Sequence, residues 1–87
     1  MQAYLIEHYR PGLQTAELER SAARVRDAVA ELEREGRAVH FLRSTIVPRD
    51  ESFLCVVEAG SEELVLEAYA RAGVPFERIS TAIDQGG

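Results

Sequence analysis

An α+β fold of the ferredoxin-like, split-sandwich class is what this sequence predicts, and three observations predict it. The segments along its 87 residues read strand, long helix, strand, tight turn, strand, short helix, strand. That βαββαβ order is the signature of the class. Apolar residues recur at helical spacing in only two stretches, and a glycine or proline breaks the chain after each of them. The expected architecture is one domain, 1–87, with a four-stranded antiparallel sheet carrying both helices on one face.

The first strand is expected over 2–9. Tyr4, Ile6 and His8 point to one side and Ala3, Leu5, Glu7 and Tyr9 to the other. Arg10-Pro11-Gly12 ends it, because proline cannot donate to a ladder. Thr15 is placed as the N-cap of a helix that runs to about residue 35. Leu18, Ala22, Val25, Val29 and Leu32 form its apolar stripe, and Gly36 is the natural stop. The second strand spans 38–47, residues 48–51 make the hairpin, and the third strand spans 52–59. Ser61 caps the second helix, whose buried stripe is Leu64, Val65, Ala68, Tyr69 and Ala72. Gly73 closes that helix, the last strand lies within 76–83, and 84–87 reads as a frayed tail.

The middle strands are apolar on both sides. Phe53, Cys55 and Val57 alternate with Leu54 and Val56, and Val39 and Phe41 with Leu42 and Ile46. An antiparallel sheet with one wet face should be polar there. The expectation is therefore a homodimer in which two open faces meet as an α/β barrel with twofold symmetry. A domain of this size buries only roughly 60–65% of its unfolded surface, so a second subunit adds needed core.

The net charge is −5, and all ten basic residues are arginine. An acidic surface is repelled by nucleic acid and by anionic lipid, so neither is an expected partner. There is no apolar run of membrane-spanning length, and the alternating, Glu7-bearing N-terminus is not that of a signal peptide. A single cysteine, Cys55, excludes an intramolecular disulfide and fits the cytoplasm.

Few residues are chemically suggestive. His8 and His40 read either as partly exposed strand histidines or as metal ligands, with Cys55, Glu7 or Glu58 as the third donor. Neither histidine sits in a close-spaced ligand pattern. Cys55 reads as a buried apolar thiol or a reactive one beside Arg43. Glu7, Arg43 and Glu58 are charges inside apolar strands, which must be paired, solvated or functional. Arg43, counted on the same side as Val39, Phe41, Thr45 and Val47, is expected to pair with Glu7 or Glu58, only one of which should share its side. Strand parity separates Cys55 from Glu58, Glu7 from His8, and Arg43 from Ser44.

Several segments together carry a resemblance: Tyr4-Leu5-Ile6-Glu7, Pro11-Gly12-Leu13, Phe41-Leu42-Arg43-Ser44-Thr45-Ile46-Val47-Pro48, Cys55-Val56-Val57-Glu58-Ala59 and Arg71-Ala72-Gly73-Val74-Pro75-Phe76. Over nearly the whole chain it resembles a family of small bacterial ferredoxin-like proteins of unknown function that includes a nickel-responsive, nickel-binding member. The resemblance implies the fold, dimerisation, a transition metal such as nickel, and pattern positions at Glu7, Arg43, Ser44, Cys55 and Glu58. Two other readings stay open. One is a cofactor-free enzyme of the monooxygenase or isomerase kind, which uses the same dimeric barrel. The other is a structural interaction domain.

Overall fold

The computed structural model describes residues 1–83 and Gln85; the expectation of a frayed tail at 84–87 falls largely outside them. The order is β1 (Gln2–Tyr9), α1 (Thr15–Arg34), β2 (Val39–Val47), a 3₁₀ turn (Pro48–Asp50), β3 (Ser52–Ala59), α2 (Glu62–Ala72) and β4 (Arg78–Ala82). The four strands form one sheet in the order β2-β3-β1-β4, and every neighbouring pair is antiparallel. This is the ferredoxin-like α+β arrangement.

The core lies between the helices and one face of the sheet. Leu18, Val25, Val29 and Leu32 of α1 and Val65, Ala68 and Tyr69 of α2 pack onto Tyr4, Ile6, Phe53, Cys55 and Val57. The parity of β1 and β3 is as their alternation demands. The cap of α1 falls one residue earlier than expected, at Gln14 rather than Thr15. The Glu17 carboxylate accepts the Gln14 N–H at 3.1 Å, tying up a donor that the first helical turn leaves unpaired. Ser61 caps α2, accepting the Leu64 N–H. Gly73 follows that helix at φ +65, a left-handed conformation that costs glycine nothing.

The β2–β3 turn holds the sheet end in place. Glu51, itself left-handed at φ 52, accepts the Arg10 N–H on its carbonyl at 2.7 Å. Its carboxylate accepts the Gly12 N–H at 2.6 Å. The loop leaving β1 is thereby clamped to the turn between β2 and β3.

One element departs from simple alternation. Phe41 pairs with Val57 but Arg43 pairs with Val56, so Leu42 is an extra residue in β2. Such a bulge flips side-chain parity downstream. Val39 and Phe41 face the helices, whereas Arg43, Thr45 and Val47 lie on the open face, opposite Val56, Leu54 and Ser52. The expectation that Arg43 shares a side with Val39 and Phe41 is corrected by this single inserted residue.

Candidate functional site

The open face of the sheet carries a cleft of about 480 Å³ where β1 ends and β3 and β4 begin. The register explains its composition. Tyr9, Ser52 and Val47 lie side by side across three strands, and Leu54 lies beside Glu7, which lies beside Arg78. The walls are therefore Tyr9, Val47 and Leu54, with Glu77 and the Glu7–Arg78 pair at the rim. Arg78 Nε donates to Glu7 Oε2 at 2.7 Å, and both side chains remain largely solvated. The pair is held by backbone as well, because the Glu77 N–H donates to the Glu7 carbonyl at 2.8 Å.

Behind the cleft wall, on the helix side, sits a closed polar chain. His8 is only 2% exposed, against the expectation of a partly exposed histidine. Its ring stacks on Phe53 with centroids 3.8 Å apart. Nδ1 lies 2.9 Å from the Phe53 carbonyl, and Nε2 lies 2.8 Å from the Tyr69 hydroxyl. A carbonyl only accepts, so Nδ1 carries the proton and Nε2 of the neutral ring accepts from Tyr69. The Tyr69 hydroxyl also interacts with the Cys55 thiol.

The electrostatics follow from burial. Desolvation pulls the His8 pKa from 6.5 down to about 4; the Phe53 hydrogen bond opposes this, Arg10 adds to it, and Glu77 opposes it. Desolvation pushes the Cys55 thiol up to about 11, partly offset by Tyr69. The Tyr69 phenol is raised by burial and then by Cys55. The chain is neutral throughout the physiological range, and each of its polar atoms has a partner. It stabilises and orders the core and offers no free base or thiolate.

The sequence candidates divide between these two environments. Glu7, Arg43 and Glu58 all lie on the open face, so both carboxylates share the side of Arg43, where parity through a regular strand had allowed only one. Glu7 lines the cleft and is engaged by Arg78. Ser44 and Cys55 are opposite one another on the helix side. The five pattern positions therefore do not line one pocket. His8 and His40 are not brought together either: β3 separates their strands, and His40 Nδ1 is 2.8 Å from Glu33 Oε2 at the exposed sheet edge. Among the described residues no group of three or more His, Cys, Asp or Glu side chains is placed to hold a metal ion. Both His8 nitrogens are occupied and Cys55 favours its protonated form, so among the described residues neither stands free as a metal donor.

Two features were hard to see in the sequence. Tyr69 as the partner of His8 is 61 positions away. The one available signal was that both residues belong to buried stripes while carrying polar ends. The cleft walls Val47, Leu54 and Glu77 carry no motif, and only register assembles them.

Fold and site together define a small α+β domain with an apolar cleft on an uncovered sheet face and a sealed polar core. The chain belongs to the family described as nickel responsive protein SCO4226-like, whose model matches residues 4–81. The crystal structure of SCO4226 from Streptomyces coelicolor A3(2) aligns with a TM-score of 0.71 and 21% identity, covering 97% of this chain and 99% of that one. At that identity the likeness speaks for the fold. No curated protein matches the chain. Among the described residues no helix is long and apolar enough to cross a membrane.

Proposed function

We propose that this member of the nickel-responsive family is a non-enzymatic, homodimeric binding protein that holds a small, mainly apolar ligand between two facing sheets. The observation that carries this reading is the position of the cleft. It opens on the sheet face that no helix covers, so a second copy laid on that face would roof it into a cavity. Leu5, Leu54 and Val47 supply the apolar contact, and Glu7, Glu58, Arg43 and Arg78 place both charge signs on the same face. A twofold contact matches a surface with itself, which a face of mixed sign permits. Binding without turnover is favoured because general acid–base catalysis needs an accessible titratable group, and His8 is buried with both nitrogens engaged. In this reading nickel is what the family responds to, and is not held by the side chains of one chain.

Light scattering over a concentration series and a thermal-shift screen test the proposal together. The expected mass is twice 9.7 kDa, and toluene, benzoate or benzylamine should raise the melting temperature of the wild type but not of Leu54→Arg. A 9.7 kDa particle at the highest concentration, or identical shifts in Leu54→Arg, would overturn it. Equilibrium dialysis against nickel chloride checks the metal statement, with less than one tightly held ion per chain expected.

A further inference from the structure

The open-face cleft carries charge of a definite sign. Two carboxylates, Glu7 and Glu77, and one guanidinium, Arg78, line it. His8 also lines it but adds no charge, since Nδ1 donates to the Phe53 carbonyl and Nε2 accepts from Tyr69. Two negative groups against one positive group leave a negative balance. A twofold mate carries the same three groups, so closing the dimer does not reverse that sign. The chain as a whole stands at −5. Such a field draws cations and repels anions.

The two carboxylates are not equivalent. Glu7 Oε2 takes a 2.7 Å bond from Arg78 Nε. Glu77 is exposed, and among the described residues its carboxylate accepts only the Tyr9 N–H, at the long distance of 3.4 Å. A carboxylate can accept several such bonds. A cation therefore meets Glu77 with nothing to displace, whereas an anion seeking Arg78 has to crowd Glu7. Tyr9 adds an independent reason. Its ring is 53% exposed and lines the same cleft, offering the kind of π face that attracts ammonium groups. A divalent metal ion needs several ligands, and among the described residues no group of three or more suitable side chains is placed to supply them.

We propose that the ligand of this cleft is a small organic ammonium, an aromatic or alkyl amine in its protonated form. Its charged group sits at Glu77 and against the Tyr9 ring, and its apolar body lies between Val47 and Leu54. This rests on the reading of the cleft as a ligand site and adds the charge of what it binds.

The test is calorimetric titration of the wild-type protein with benzylamine, benzyl alcohol and benzoate at pH 7, where benzylamine is protonated. The three probes share a ring and differ in charge. Benzylamine should bind saturably and about fivefold tighter than benzyl alcohol, the gain that an exposed ion pair allows. Benzoate should bind weakest. Added sodium chloride should narrow the gap between benzylamine and benzyl alcohol. Glu77→Gln should bring benzylamine down to the affinity of benzyl alcohol and leave benzyl alcohol unchanged. Glu63→Gln, which removes the same charge from the first turn of α2, should keep the preference. Benzyl alcohol or benzoate binding as tightly as benzylamine, or equal losses in the two variants, would overturn the ammonium assignment and leave the cleft as an apolar site. No binding of any of the three would overturn both.

Discussion

His8 contributes to stability through the proton it does not carry. Its folded pKa of about 4 lies below the 6.5 of the unfolded chain, so between those values the unfolded state binds more protons. Stability then rises with pH across that window and falls as the solution is acidified through it. The full swing is about 3 kcal/mol, from 1.36 kcal/mol per pKa unit. Urea denaturation from pH 7 to pH 4 should show this slope in the wild type and a flatter one in His8→Gln; parallel curves would contradict it. Tyr69→Phe keeps the ring and removes only the hydroxyl, stranding His8 Nε2. It should cost about 1–3 kcal/mol in the same measurement. Cys55, buried with its thiolate disfavoured, should react with a thiol reagent only through opening of the fold. Native labelling as fast as labelling in denaturant would rule that out.

Among the elements, β2 is where local pattern and pairing part company. Because Leu42 is the residue without an opposite number, deleting it would leave a regular ladder with Phe41 still facing the helices and Arg43 still on the open face. Deletion of Leu42 should therefore preserve the fold. Deleting Thr45 would restore regular pairing by turning Arg43 inward opposite Cys55, and should lower the urea midpoint far more. Equal midpoints for the two deletions would mean that the bulge does not set parity. The end of α2 makes a smaller claim. A Cβ on Gly73 would sit 3.1 Å from Arg24 Nη2, in a left-handed backbone. Gly73→Ala should cost about 1–2 kcal/mol from the backbone conformation alone, and would crowd the Arg24 guanidinium that bonds the end of α2. Between the helices, Arg71 donates to Glu31, Glu35 and Glu67. This is a surface network whose effect should fade with added salt.

At the scale of the molecule, the two faces of the sheet make opposite predictions for the same chemistry. Val57 faces the helices and is fully buried, so Val57→Glu should prevent folding by placing a charge in the core. Leu54 is half-buried on the open face, so Leu54→Glu should leave a folded domain that light scattering finds as a monomer. A Leu54→Glu dimer would mean that copies meet elsewhere. Val56, on the open face yet 2% exposed within a single chain, already packs among its neighbours, which makes Leu54 the cleaner probe.

The sequence by itself determined the kinds of element, their order and most of their bounds. Those properties depend on periodicity and chain breakers, which act over a few residues: β3 begins and ends at Ser52 and Ala59, where alternation placed it, and Ser61 and Gly73 flank α2 as their chemistry requires. It also determined which side of β1 each residue takes, and so that His8 is aligned with Tyr4 and Ile6. What only the tertiary structure decided is which residues meet. Tyr69 reaches His8 across 61 positions, Arg78 rather than Arg43 engages Glu7 at the cleft rim, and one bulge carries Arg43 to the open face. Each of these depends on register between strands distant in sequence, and a shift of one residue there exchanges the two faces, so no local pattern can specify it.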